Sequence, residues 1–409
     1  MMFLAALLTA TSAGPAERAL LPGITYTLPS NGLRVILSPD PSLPLVAVNV
    51  WYQVGSAHER PGETGLAHLF EHLMFQGSRH VPAGKHYQVL RSIGAVDTNG
   101  TSSLDRTNFF ATVPSHQLET LLWLESDRMG FLELTDEGFR RQQAAAIAER
   151  RGRQNAAPYG PSNERVFQSL FPVGHPYHSY LLGSQADIES LTLDRARNFY
   201  RRHFVPANAS VAIVGDFDPL TMKTLIDRWF GSLPNGAAPT RRDVVTVPIT
   251  SGIDVRVIEP VERPRVQVAW HSPKLLTPLD AVAEVYAELI TRRSDTLVAQ
   301  QRSLQHVSVF TVTEFSDTPA GIDTFLRTTV FTPDEVASAA RAIRLRMLQA
   351  LQNIGYRADR LNHYARFAGD AGFANEDLAR YSVTVEDIER FAATLTQNRR
   401  VVVRTVPAP

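Results

Sequence analysis

There is no cysteine among the 409 residues, which excludes disulfides, thiolate nucleophiles and cysteine-ligated metal sites together. Net charge is also missing. Lys+Arg and Asp+Glu stand at 41 each, so no bulk field recruits nucleic acid or an anionic membrane surface. Beyond the N-terminus no apolar run reaches membrane-spanning length, which argues against stable membrane insertion. The N-terminus itself, MMFLAALLTATSAG, is apolar and ends in small residues, but it lacks a basic start, the first arginine being Arg18. Residues 1–20 read as a short signal peptide or an N-terminal tail. That reading favours an exported, periplasmic setting over a cytoplasmic one.

The chain is too long for one ordinary core, and its 44% apolar residues are what a globular protein needs. The clearest punctuation is LPNGAAPTRRD at 233–243, which reads as part of a linker over 233–248. Landmarks repeat on either side of it. The alternating run from Pro44 to Trp51 is echoed from Pro264 to Trp270. Thr192 and Phe199 precede Asn208 and VAIV, as Thr384 and Phe391 precede Asn398 and VVVR. Strands come in groups and helices in runs, so the fold class is α+β, built as two homologous domains. Each is an antiparallel-rich sheet packed with helices, over 21–232 and 249–409. Asn31-Gly32 reads as a hairpin turn, and 115–132 and 134–153 read as helices.

One stretch does not fit a plain core. AHLFEHLMF, 67–75, sets two histidines and a glutamate inside an apolar run. Thr64 suits an N-cap and Gly77 a C-terminal stop, while Leu66, Leu69, Phe70 and Leu73 share one face. Three polar side chains on a buried helix need compensation. His68 and His72, four apart, lie one turn apart on the same face and can chelate one zinc. Glu71 lies beside them, close enough to take a proton from an activated water. This is the H-x-x-E-H order of the inverzincins. A hydrogen-bonded core histidine explains one such residue better than three in this pattern.

A zinc hydrolase needs a third protein ligand and an open position. The helical stretch 138–155 holds one acid, Glu149, among five arginines. The residues alone favour a surface ion pair from Glu149 to Arg153 at i,i+4 over a ligand role. Other candidates have plainer readings: His175 as a loop residue packing between elements, His363 as helix packing, Trp51 and Trp270 as core.

Here GLAHLFEHLMFQGS, with an acid 77 positions after the second histidine, resembles the pitrilysin/insulinase family of zinc peptidases. It is most similar to the mitochondrial-processing-peptidase-like branch with its half-length bacterial members. VGSAHERPGETG, GAVDTNGTSSLDRTNFF, ERRGRQNAAPYG and FYRRHFVPANASVAIVGDFDP agree, and the similarity runs over about residues 22–407. The resemblance implies one Zn2+ per chain on His68, His72 and Glu149, with Glu71 as general base and Asn99 contacting substrate backbone. It also implies a chain that forms one half of a clamshell around an unfolded peptide, bound by strand addition.

The chain departs from the family pattern in three ways. Many relatives carry an acid seven residues before the third ligand, where this chain has Gln142. The family's substrate-holding Arg and Tyr align with Val298 and Gln305. The glycine-rich segment expected before them is ITRRSDT. The missing donors imply a heterodimer in which a homologous subunit lacking the zinc motif supplies an Arg/Tyr pair, with a homodimer as the alternative. The sequence therefore leads to a zinc metalloendopeptidase. The rivals are a non-catalytic peptide-binding or scaffold subunit and a zinc hydrolase of small non-peptide substrates.

Overall fold

The computed structural model describes residues 19–155, 158–240 and 243–409, so the N-terminal signal-or-tail reading lies outside the described residues over 1–18. Two sheets organise the molecule. The first holds β1 (Ile24–Thr27), β2 (Arg34–Pro39), β3 (Leu45–Tyr52), β4 (Val96–Ser102), β5 (Thr107–Pro114) and β6 (Ala209–Gly215), in spatial order β1-β2-β6-β3-β5-β4. The second holds β7 (Ile253–Glu259), β8 (Arg265–Ser272), β9 (Leu297–Arg302), β10 (Ser308–Glu314) and β11 (Arg400–Pro407), in order β7-β11-β8-β10-β9. Without β1 the two orders coincide. So do their single parallel pairs, β2 with β6 and β7 with β11. The fold is α+β, with antiparallel-rich sheets and repeated topology.

Helices α1 (Leu66–Leu73), α2 (His86–Ser92), α3 (Leu118–Phe131), α4 (Asp136–Asn155), α5 (Gly160–Leu170), α6 (Gln185–Ser190), α7 (Leu193–His203) and α8 (Pro219–Phe230) precede the connection between the sheets. Helices α9 (Pro278–Arg293), α10 (Ala320–Thr328), α11 (Pro333–Ala350), α12 (Ile354–Phe367), α13 (Ala374–Ala379) and α14 (Val385–Ala392) follow it. Residues 234–240 and 243–250 carry neither helix nor strand, in keeping with the Pro/Gly/Ala composition there, and 241–242 of the linker reading lie outside the described residues. Asn31 and Gly32 sit in the longer connection between β1 and β2, not in a two-residue turn. The Asn31 side chain is used elsewhere: its Nδ2 donates to the Phe230 carbonyl at 2.6 Å.

Strand alternation gives each sheet two buried faces. Val46, Val48, Val50 and Tyr52 of β3 face the main core with Phe109 and the α1 side chains. Trp51 faces the other way, where α12 of the second half covers the sheet. There Asp359 accepts from Trp51 Nε1 at 2.9 Å and from Asn108 Nδ2 at 3.1 Å, and Asn362 Nδ2 donates to the Asn49 carbonyl at 2.8 Å. Reciprocally, α5 of the first half lays Val166, Phe167 and Leu170 on Ala269, Val401 and Val403 of the second sheet. The halves thus exchange helices. Trp270 lies with Val268 in the main core of the second half, so its structural match is Tyr52, and the Trp51–Trp270 echo is offset by one residue.

Burial carries a pH consequence. It pushes His86 down to about 2 and His203 down to about 3, and drives His363 well below its ordinary 6.5. In the unfolded chain these rings take protons below pH 6.5 while in the folded chain they stay neutral, so folded stability falls as pH drops from 6.5. Each should cost about 1 kcal/mol at pH 5.5. Burial raises the carboxyls of Glu59 and Glu284 to about 8 and about 7, which acts in the opposite direction, but the three imidazoles outnumber them, so the thermal midpoint, followed by circular dichroism, is expected to fall from pH 6.5 to 5. A midpoint that stays level down to pH 5 would contradict neutral burial of these rings.

Candidate metal centre

The helix that carries the two histidines is short, and its placement comes from its surroundings. Its N-cap is Gly65 in the left-handed region at φ +96°, where an added Cβ would lie 2.8 Å from Ile188. Thr64, expected as the cap, does other work: its hydroxyl donates to Asp187 Oδ2 at 2.5 Å and accepts the Ser184 N–H at 2.9 Å. The cap is Glu59. Its two carboxylate oxygens accept the N–H groups of Gly65 at 2.9 Å and Ala67 at 2.8 Å. Burial pushes the Glu59 carboxyl up to about 8 against the pull of those two donors. At the other end the helix stops at Leu73, with Met74 as C-cap, ahead of the expected stop at Gly77. On its core face Phe70 stacks on Phe199 and Phe204, with ring centres 5.6 and 4.8 Å apart.

The third polar group arrives on α4, whose twenty residues run past α1. Gln143 Nε2 donates to the Ile188 and Leu191 carbonyls at 2.7 and 3.1 Å, tying α4 to α6. The buried Arg150 meets Glu164 of α5 at 3.3 Å. Between these ties Glu149 is aimed at α1. Its Oε2 lies 3.4 Å from His68 Nε2 and 3.3 Å from His72 Nε2. Its Oε1 pairs with Arg153 at 2.6 Å. The surface ion pair and the approach to the histidines therefore coexist, on different oxygens of one carboxylate.

Donor geometry tests whether zinc fits. A tetrahedral zinc with ligands at about 2.0–2.1 Å separates neighbouring donors by about 3.3 Å. The two N···O separations match that edge, and the donor atoms of His68, His72 and Glu149 all lie within 4.8 Å of one another. Among the described residues this is the one His/Cys/Asp/Glu group that could hold a metal ion. His68 is 5% exposed, whereas His72 and Glu149 are 24% and 29% exposed, so the group opens on one side. Burial holds the His68 imidazole in its neutral, ligating form.

Glu71 sits outside that donor set. Burial raises its pKa, and Ser102 Oγ, donating to its Oε2 at 2.7 Å, works in the opposite direction. Ser102 ends β4, the edge strand of the first sheet. Gly100 leaves room for the Phe109 ring of β5 and for Phe75, just past α1, because a Cβ there would lie 2.9 Å from the first ring and 3.1 Å from the second. Asn99 lies exposed on the same strand, its Oδ1 accepting the Gly100 N–H at 2.9 Å. Together Glu71, His72, Phe75, Tyr87, Asn99 and Gln142 line a cavity of about 240 Å³ beside the metal group.

Other expected positions lie apart. Val298 is 59% exposed on β9 of the second sheet. Gln305 is tied up in the turn after β9: its N–H donates to Asp105 at 3.2 Å and its side chain accepts from Arg366. His175 stacks on Phe171, and His363 meets the Trp51 ring edge-on, both as packing residues. Sequence reasoning missed Glu59 and Ser102. Ser102 lies within the segment that resembles the family's edge strand. Glu59 caps across six and eight residues, a reach that no local capping pattern encodes.

Residues 34–170 match the family model described as Insulinase (Peptidase family M16), and residues 190–363 match one described as Peptidase M16 inactive domain. The zinc protease PqqE of Helicobacter pylori is 32% identical over 230 residues, covering 56% of this chain and 51% of that protein. A probable mitochondrial-processing peptidase subunit beta of Arabidopsis thaliana is 23% identical over 237 residues, covering 57% and 43%. The chain spans about half the length of the curated relatives it matches. In fold it is similar to the crystal structure of a protease from Helicobacter pylori, with a TM-score of 0.86 at 22% identity over 94% of this chain and 100% of that one.

Removing the Glu59 carboxylate strands two buried N–H groups at the start of α1. Glu59→Ala is expected to lower stability by about 1–3 kcal/mol. It should weaken zinc binding about 10-fold or more by loosening the ligand helix. Calorimetric melting and zinc titration of the same sample check both. An unchanged zinc affinity would show that α1 holds its histidines without this cap.

Proposed function

The chain belongs to the insulinase family of peptidases, and from that premise we propose that it is the zinc-bearing subunit of a metalloendopeptidase that cuts unfolded polypeptides. The observation that supports this best is the three-donor group, with Glu71 beside it, next to the unpaired edge of β4. His68, His72 and Glu149 would hold the ion. When bound, zinc supplies Lewis-acid activation of water and of the scissile carbonyl. The chain's own residues do the rest. An extended substrate adds to β4, and its backbone supplies affinity without a fixed sequence. Asn99, exposed on that edge, contacts the substrate backbone. Glu71 takes the proton of the attacking water and returns it to the leaving amine, with Ser102 fixing the carboxylate's direction.

The scaffold alternative draws on the family description that covers 190–363, an inactive domain. All four metal-centre residues, however, lie inside the match at 34–170, and all four are intact. The residues at the two aligned positions offer no donor to an oxyanion. Val298 is apolar, and Gln305 is committed to Asp105 and Arg366. A homologous partner bringing an Arg/Tyr pair completes the site, and the Arabidopsis relative is itself described as a subunit. Among the described residues no helix is long and apolar enough to cross a membrane. Export to the periplasm remains part of this reading.

Wild-type protein and Glu71→Gln, each assayed for bound zinc and for cleavage of a long unstructured peptide, test the proposal. Both are expected to carry one zinc per chain. With the partner present, Glu71→Gln should lose at least about 100-fold in turnover. Chelation should abolish cleavage by the wild type and a zinc supplement restore it. A wild-type chain that binds no zinc would leave the scaffold reading standing in its place.

A further inference from the structure

Three arginines follow Glu149 at the end of α4, and each pairs with a different acid. Arg150 meets Glu164 at 3.3 Å and Arg151 meets Glu189 at 3.1 Å, both outside the donor group. Arg153, one helical turn beyond Glu149, turns back and pairs with its Oε1 at 2.6 Å. The other oxygen, Oε2, is the one that lies 3.4 and 3.3 Å from the two histidine nitrogens. A carboxylate turns easily about its last bond, so nothing intrinsic to glutamate decides which oxygen faces an ion, or whether both do. Two oxygens on one ion would fill the position that a zinc hydrolase keeps open. Gln142, seven residues earlier on the same helix face, is a neutral amide on the cavity wall and brings no cation to the carboxylate. The Arg153 charge also reaches His68, where it adds to burial in keeping the imidazole neutral.

The ion pair is worth little to the fold. Arg153 is 59% exposed and Glu149 29%, and i,i+4 pairs so open to water contribute weakly to stability. We propose that Arg153 is a positioning residue: it holds Glu149 Oε1 so that Oε2 alone is offered to the ion and one position stays open. The inference rests on the zinc reading above.

Metal binding to the whole chain tests it, with no substrate or partner needed. The probe is Co2+, whose visible absorption bands weaken as coordination rises from four to five. The wild type should show strong, four-coordinate bands, and Arg153→Ala should lose them for weak ones. Arg153→Lys, which keeps a cation four residues on, should retain the strong bands. A pair that merely secured the last turn of α4 would act through helix content. Gly152 lies in that turn with open space where a Cβ would go, so Gly152→Ala strengthens the helix without touching the pair. Adding Gly152→Ala to Arg153→Ala should leave the bands weak. Their recovery would reduce Arg153 to a helix-stabilising role and overturn the inference. An unchanged spectrum in Arg153→Ala would also overturn it. Zinc affinity, titrated alongside, then says what Arg153 is instead: an opposing charge if affinity rises, a surface ion pair if it holds. Each of these failures leaves the peptidase reading intact. A wild-type chain that binds neither metal would overturn both.

Discussion

The candidate site depends on one carboxylate being held against two imidazoles. Glu149 Oε2 lies 3.4 and 3.3 Å from the His68 and His72 nitrogens, and these groups come from helices that share no local sequence. An eight-residue helix has little stability of its own in water. The α1 helix persists because Glu59 caps it, Phe70 anchors it among Phe199, Tyr200 and Phe204, and β4 meets it where Ser102 donates to Glu71. On the other side, Gln143 and Arg150 bracket Glu149 and fix α4 to α6 and α5. Packing on both sides of the donor set thus supports this spacing.

The duplicated half makes a useful contrast. There α9 lies over edge strand β9 as α1 lies over β4, and a cavity of about 540 Å³ opens beside it. Where α1 has His68 and His72 one turn apart, α9 has Glu284 and Glu288. Both carboxylates are already engaged: Glu284 accepts from the Tyr381 hydroxyl at 2.6 Å, and Glu288 pairs with Arg292 and Arg346 at 2.6 and 2.8 Å. Acceptors satisfied by internal donors are poor recruits for an ion. The same frame therefore yields a metal-competent donor set in one half and a neutralised polar groove in the other, and helix-face chemistry makes the difference.

Much of this was legible in the sequence because it is written at short range. H-x-x-E-H sets His68, Glu71 and His72 side by side by helical period alone, and alternating runs announced β3 and β8. The duplicated topology was readable from repeated landmarks, although the tryptophan echo misled by one residue, since strand faces depend on pairing register as well as on pattern. The third donor was not legible from physics. Glu149 has an i,i+4 arginine, and the structure keeps that ion pair; only the contact between α1 and α4 distinguishes the oxygen that faces Arg153 from the one that faces the histidines. Glu59 was hidden for a related reason. It satisfies backbone donors six and eight residues ahead, after a turn through Pro61 and Gly62, and such reach belongs to tertiary geometry. Gln142 could be noted only as a departure from an acid, because its place on a cavity wall is set by where α4 crosses α1.

The helix exchange gives the second half a part in the site that sequence division would not assign to it. Arg106 lies half-buried behind β4, bonded to the Thr101 carbonyl at 3.0 Å and to Asn108 Oδ1 at 2.9 Å. Its guanidinium feels two carboxylates, Asp359 on α12 and Glu71 on α1. Asp359 also receives the Trp51 indole and the Asn108 amide, so it anchors the polar layer between α12 and the first sheet. Without α12 the indole would lose its acceptor and the Asn108 amide would keep only Asn49 Oδ1 at 3.2 Å. Arg106 would lose the larger of the two carboxylate influences that oppose the effect of burial on it. The second half, which among the described residues offers no group to hold an ion, thereby helps set the electrostatic surroundings of the first half's polar cluster.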